Sequence, residues 1–245
     1  MIASAKSRFL VAILVVVSAS AAQRNDPPMT RLEKVTGKAV LVQAHSRAPL
    51  KDASRVVFWL SPRNPIPQMQ ASSDRPKYRM VQHNKSFEPN MLVVPTGTVV
   101  DFPNLDPWFH NVFSLYQGKR FDLGLYEAGS HKQVVFDRPG ASYVFCNIHP
   151  QMTAVVLAVD SEFFGISDKA GRVAINDVPA GTYDLHIWYE FAMPKALEAL
   201  SRSIVIGSDT HTLPTISIVV AKQNSLNHKN KYGNDYDPTD QNLTY

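Results

Sequence analysis

The sequence predicts an all-β protein built from β-sandwiches, with hardly any helix. Short runs rich in Val, Ile, Thr and aromatic residues recur along the chain, and Pro, Gly, Asn and Asp interrupt them. A hydrophobic content of 44% with 19% charged residues is typical of a chain that packs a core. Short strands at such regular spacing favour sandwich architecture.

Each strand is expected where β-branched or aromatic residues run between two groups of turn residues. The expected strands are Lys38–Val42, Arg55–Leu60, Met91–Val94, Thr98–Phe102, Asn111–Leu115, Lys132–Phe136, Ser142–Cys146, Thr153–Val159, Arg172–Ile175, Thr182–Tyr189, Ser203–Ile206 and Thr215–Val220. One short helix is expected within Ala192–Ser203, and Ser61–Lys77 is expected to be a connecting segment.

The two ends of the chain differ from the rest in composition. Lys6 and Arg8 precede an apolar run, and small residues follow it, so residues 1–22 are predicted to be a signal peptide cleaved after Ala21 or Ala22. An uncleaved anchor is the alternative, although the run is shorter than the roughly 20 residues that span a bilayer. No later stretch is apolar enough for a transmembrane segment. Residues 222–245 are polar and are predicted to be a disordered tail.

The signal predicts a periplasmic or secreted protein, and the charge limits its partners. The net charge is +4, and removing Lys6 and Arg8 with the signal lowers it to +2. This value is too small to indicate a nucleic-acid-binding protein.

The chain contains a single cysteine, Cys146, which has no cysteine with which to form an internal disulfide. Its thiol can pair with another chain, remain buried and inert, or bind a metal ion. His149 and Met152 follow it at intervals of three residues, and His110 lies 36 positions earlier. One thiolate, two imidazoles and one thioether form the ligand set of a trigonal blue-copper site with a weak axial methionine.

Other interpretations of these residues are possible one at a time. A lone cysteine is commonly a small buried hydrophobe, and a methionine commonly fills a core. Zinc usually takes more thiolates, or ligands in a paired spacing that is absent from this sequence. The order of all four residues around one predicted hairpin loop favours copper.

The stretch Met80–Asp160 resembles the cupredoxins of the plastocyanin, pseudoazurin and amicyanin group, and its short Cys-x2-His-x2-Met loop most resembles amicyanin. The matching elements are Gln82, Phe87-Glu88-Pro89, the run from Val93 to Asn104, His110-Asn111-Val112-Phe113-Ser114 and the loop that begins at Cys146. The resemblance implies a Greek-key β-sandwich with one type 1 copper ion bound by His110, Cys146, His149 and Met152. It also implies that the backbone amide of Asn111 supports the thiolate.

The resemblance further implies a route for electrons. In cupredoxins the histidine of the C-terminal loop shows its outer edge at an apolar patch. Here that residue is His149, and the expected patch contains Pro150, Trp108 and Phe109. The two aromatic residues can equally be packing residues of the loop. The other histidines form no His-x-His pair, so the sequence offers no ligands for a tri-copper cluster and no enzymatic site.

A second resemblance concerns the segments on either side. The hairpin pattern over Ser167–Trp188, together with Val35–Val40 and Pro49–Val57, resembles a carboxypeptidase regulatory-like domain of transthyretin type. We therefore expect a cupredoxin domain of residues 78–159 inserted into a transthyretin-like β-sandwich made of residues 34–66 and 160–221.

Together these features predict an exported type 1 copper protein that passes single electrons between redox partner proteins and is not an enzyme. The alternative is a periplasmic copper-delivery or copper-sensing protein whose outer domain recognises a partner.

Overall fold

The described part of the chain consists of strands and one short helix. The structure is a computed structural model, and it describes residues 31–66, 78–115, 118–207, 212–221 and 229–236. The strands are β1 (Leu32–Gln43), β2 (Val57–Pro62), β3 (Tyr78–Arg79), β4 (Val81–His83), β5 (Ser86–Glu88), β6 (Met91–Pro95), β7 (Thr98–Pro103), β8 (His110–Ser114), β9 (Phe121–Tyr126), β10 (His131–Phe136), β11 (Gly140–Phe145), β12 (Thr153–Val159), β13 (Phe164–Ile166), β14 (Arg172–Pro179), β15 (Gly181–Trp188), β16 (Arg202–Ile206) and β17 (Ile216–Val220). The helix is α1 (Pro194–Glu198). The all-β prediction is confirmed.

The predicted signal peptide, residues 1–22, lies outside the described residues. Among the residues that the structure describes, we find no helix with the length and apolar character needed to cross a membrane.

The central sandwich is formed by two sheets, with strand orders β6-β12-β11-β8-β9 and β10-β7-β3. Their facing side chains form one core that includes Phe102, Phe136 and Val156, and Cys146 and Met152 belong to the same core. Strand β10 shows why the sheets pack in this way, because every second residue from Val134 is buried and the alternate ones are exposed. Strands β4 and β5, which lie between β3 and β6 in the sequence, form a separate two-stranded hairpin.

The flanking sandwich joins strands from both ends of the chain. Its sheets have the orders β14-β1-β17 and β13-β2-β15-β16. Val40 of β1 pairs with Ser217 of β17, and Val57 of β2 pairs with Trp188 of β15. Strands from residues 32–62 therefore lie in sheets with strands from residues 164–220, and the central sandwich occupies the intervening sequence.

One face of the central sandwich packs against the flanking sandwich. Strand β12 is buried on both sides: Ala154 and Val156 face the central core, while Val155 and Leu157 face a second cluster together with Val57 of β2. Full burial of each valine or leucine side chain contributes about 1.5–3 kcal/mol. Because of this shared face, the described residues from Arg31 onward form one compact unit, and the boundaries expected near residues 66, 78 and 160 stay predictions.

Each expected strand overlaps an observed one, and α1 lies inside the expected helical segment. Five observed strands were not expected from the sequence, namely β3, β4, β5, β9 and β13. Four of these have only two or three residues, too few for an alternating pattern to be recognised. In β9, Gly124 interrupts the pattern with a positive φ of 65°.

Candidate metal centre

The candidate ligands lie at the ends of two neighbouring strands. His110 begins β8, Cys146 directly follows β11, and His149 and Met152 lie on the hairpin loop that leads into β12. Strands β8 and β11 are antiparallel, with Phe113 opposite Phe145. This register brings the first residue of β8 next to the loop that follows β11.

Three donor atoms converge inside the protein. The Nδ1 atoms of His110 and His149 are 3.1 Å apart, and they lie 3.8 and 3.7 Å from the Sγ atom of Cys146. His110 and Cys146 are completely buried, and His149 is 2% exposed. Bonds of about 2.0–2.3 Å from nitrogen and sulfur to one metal ion span separations of this size. The three residues therefore form a group that could hold a metal ion.

Met152 closes the loop that carries two of these donors. Its carbonyl accepts a hydrogen bond from the amide of Cys146 at 3.2 Å, and its amide donates to the carbonyl of His149 at 3.0 Å. The side chain is fully buried in the same core cluster as Cys146. The backbone of the loop thus places Met152, the fourth expected ligand, beside Cys146.

Asp106 belongs to the candidate site by its contact with His110, and the sequence did not predict it. Its carboxylate is 2.8 Å from Nε2 of His110 and is 3% exposed. With the Nε2 proton donated to this carboxylate, the lone pair of His110 is on Nδ1, the atom directed towards Cys146 and His149. Burial lowers the pKa of His110, and the hydrogen bond to Asp106 opposes that effect.

The β4–β5 turn holds Asp106 in place. The amides of Asn84 and Lys85 donate to its two carboxylate oxygens at 2.6 and 2.8 Å. Both residues have a left-handed backbone, with φ of 53° and 51°, which is the conformation of a two-residue hairpin turn whose successive amides face one anion. Although burial acts to raise the pKa of Asp106, these hydrogen bonds and the one from His110 leave that pKa below its usual value.

The thiol of Cys146 is fully buried and faces backbone hydrogen-bond donors. Burial raises its pKa, whereas the backbone amides of Asn111, Ile148 and His149 act in the opposite direction. The support that the Asn111 amide is expected to give to the thiolate stays a prediction. Such donors stabilise a thiolate, and a bound cation would favour that form further.

His149 differs from the expectation for an electron port. The expected exposed edge is wrong for this structure, since its side chain is 2% exposed. Burial and the nearby His110 lower the pKa of His149 to about 4, so the imidazole is neutral at physiological pH, which is the form that binds metals.

The expected patch around His149 is present only in part. Phe109 is 45% exposed, whereas Trp108 and Pro150 are half-buried. The amine of Lys85 lies 4.8 Å from the centre of the Trp108 ring, so one face of that ring meets a cation. Leu105, 59% exposed, is a further apolar residue of this loop that the sequence analysis did not select.

Part of the expected disordered tail contacts the loop. Within residues 222–245 the structure describes 229–236, and the expectation of a disordered tail stays a prediction. The amide of Lys231 donates to Oδ1 of Asn147 at 2.9 Å, and the hydroxyl of Tyr236 donates to the carbonyl of Cys146 at 2.9 Å. The remaining residues of 222–245 lie outside the described part of the chain.

No protein-family model and no curated protein matches the chain. The solved structures that it resembles include a purple cupredoxin from Nitrosopumilus maritimus, which is 23% identical over 34% of this chain and 100% of that one, with a TM-score of 0.31. A copper-containing nitrite reductase from Thermus scotoductus SA-01 is 23% identical over 40% of this chain and 26% of that one, with a TM-score of 0.35. A variant of amicyanin in its oxidized state is 19% identical over 34% of this chain and 82% of that one, with a TM-score of 0.32. In each of these cases most of this chain lies outside the match.

Proposed function

We propose that this protein is an exported type 1 copper protein that accepts and donates single electrons. The observation that carries the proposal is the buried triangle of two imidazole nitrogens and one sulfur. A soft thiolate with two neutral imidazoles is a donor set that suits copper, and the thioether of Met152 is the weak additional ligand typical of such sites. Copper bound there would supply a one-electron couple.

The residues of the chain prepare this site in three ways. Asp106 fixes the tautomer of His110, the amide of Asn111 favours the thiolate of Cys146, and the low pKa of His149 keeps its imidazole neutral. The donors lie at the ends of hydrogen-bonded strands or on a closed hairpin. Donors on rigid elements keep their positions when the charge of the site changes, and this favours rapid electron exchange.

The flanking sandwich is proposed to be a transthyretin-like module into which the cupredoxin is inserted. The pairing of β1 with β17 and of β2 with β15 supports this, because an insertion requires strands from both sides to share sheets. Its proposed role is to present the copper domain to a redox partner protein in the periplasm or outside the cell.

The test is redox titration of the copper-loaded protein. We expect an intense visible thiolate-to-copper band that bleaches and returns in reversible one-electron steps. Readily lost copper that passes to an acceptor protein without such cycling would contradict the carrier proposal and favour delivery. Turnover of a small-molecule substrate would contradict the proposal that the protein is not an enzyme.

A further inference from the structure

We propose that residues 229–236, here called the strap, position the metal-binding loop Cys146–Met152 and tune the surroundings of the Cys146 sulfur. The inference deepens the proposed function and rests on it, because its readout is the bound copper. It is carried by two separate sets of contacts, one to Cys146 and Asn147 of the loop and one to the carboxylate of Asp122.

The first set joins the strap to the backbone of a candidate ligand. The hydroxyl of Tyr236, which is half-buried, donates to the carbonyl of Cys146 at 2.9 Å. One residue further on, the side chain of Asn147 accepts the amide of Lys231 at 2.9 Å. Cys146 directly follows β11, so its carbonyl lies where sheet pairing ends and the loop begins. A hydrogen bond at this point restricts the turn that directs the sulfur.

The second set extends the strap to the amide that faces the sulfur. The amine of Lys231 donates to Oδ2 of Asp122 at 2.9 Å, and Oδ1 of Asp122 accepts the side-chain amide of Asn111 at 2.7 Å. The backbone amide of Asn111 acts to lower the pKa of the Cys146 thiol, against the larger effect of burial, which raises that pKa. Lys231 therefore acts on the sulfur through Asp122 and Asn111, as a positioning residue that does not touch the candidate metal.

The charges along this path give the proposal a sign. The side chains of Lys231 and Asp122 are 20% and 38% exposed, so solvent screens the pair only in part. The hydrogen bond to Asp122 is the main cause that raises the pKa of Lys231, which keeps the amine charged. Without this amine, the carboxylate of Asp122 is left unbalanced near the copper site. A nearby negative charge favours the more positive, oxidised form of the site, so the reduction potential falls.

The experiment compares three single variants of the copper-loaded full chain with the wild type. Lys231→Met removes the amine, Tyr236→Phe removes the hydroxyl that donates to Cys146, and Asn234→Ala is the control. Asn234 lies on the same strap with an exposed side chain, and its hydrogen bonds with Asn230 use backbone atoms that alanine keeps. The readouts are the reduction potential, the energy of the thiolate-to-copper band, and copper retention against a chelator.

We expect Lys231→Met to lower the reduction potential and Tyr236→Phe to shift the band and weaken copper retention about tenfold, within the range found for groups that orient metal ligands. The control should match the wild type. If the wild type is blue and both test variants behave like the control, the strap proposal is wrong while the proposed function stands. If the copper-loaded wild type has no thiolate-to-copper band, it is the proposed function that fails.

Discussion

The central and flanking sandwiches are built alike but bury different chemistry. Both pack two sheets around aliphatic and aromatic side chains. Among the described residues, the buried polar side chains of the flanking sandwich and its connections are Glu33, Ser161 and Ser167. Those of the central unit are Gln82, Thr98, Asn104, Asp106, His110, Asn111, Ser114, Ser142 and His149.

The difference shows where the fold places groups that do not serve packing. Ser161 and Ser167 donate to the backbone carbonyls of Leu60 and Ala53, so their hydroxyls complete the hydrogen bonding of the chain. His110 and His149 instead direct nitrogen atoms at each other and at a thiol. Burying such groups costs free energy unless they are paired. Their convergence therefore favours a role in binding a metal ion over a role in stabilising the fold. Substitutions in the two sandwiches should therefore separate stability from copper binding.

The largest expected effect on stability is in the flanking core. Phe58 is fully buried there, and Phe58→Ala should lower the free energy of unfolding by about 3–5 kcal/mol because it leaves a cavity. Chemical denaturation measures this change. The spectrum of the copper-loaded protein should stay that of the wild type under native conditions.

The matched control for Phe58→Ala is Val205→Ala, at a position on β16 that is 65% exposed. It should change stability by less than about 0.5 kcal/mol. An altered copper spectrum in a folded Phe58→Ala protein would show that the packing of the flanking core affects the copper site.

The second prediction concerns the carboxylate that orients His110. Asp106→Asn removes the negative charge that holds the Nε2 proton, so copper affinity should fall about 10–100-fold. Competition with a chelator of known affinity measures the loss. Asp137→Asn is the control. The side chain of Asp137 is 49% exposed, and its carboxylate pairs with the amine of Lys119 at a distance of 2.8 Å; neither residue is a candidate ligand. If the two variants bind copper with equal affinity, Asp106 does not contribute to copper binding.

The smallest expected effect comes from a buried hydroxyl in the flanking sandwich. Ser167 accepts the amide of Val56 at 2.9 Å and donates to the carbonyl of Ala53. Ser167→Ala should lower the free energy of unfolding by about 1 kcal/mol and leave copper affinity unchanged. Thermal and chemical denaturation measure the first quantity, and chelator competition measures the second. Ser46→Ala, at an exposed hydrogen bond, is the control.

The sequence carries the ligand pattern because of where the ligands lie. Cys146, His149 and Met152 occupy one short hairpin loop between two strands with a clear hydrophobic pattern. Because they are close together in the sequence, their spacing can be recognised without the structure. Asp106 lies in an irregular loop, and its role depends on amides from the β4–β5 turn about twenty residues away. The hydrophobic periodicity of the sequence gives no information about such a contact between two separate segments.

The strap and the burial of His149 were missed for a related reason. Residues 229–236 are polar, and polar composition indicates disorder when no partner is known. Their hydrogen bonds join residues 84 and 90 positions apart, which local sequence patterns do not encode. The exposure of His149 also depends on the three-dimensional packing around the loop and not on its spacing from Cys146.

The most direct test of the account is titration of the metal-free protein with Cu(II), followed by absorption and paramagnetic resonance. We expect an intense visible thiolate-to-copper band that saturates at one equivalent of copper and is absent from the Cys146→Ser variant. A band that survives Cys146→Ser, or copper that binds the wild type without any thiolate band, would contradict it.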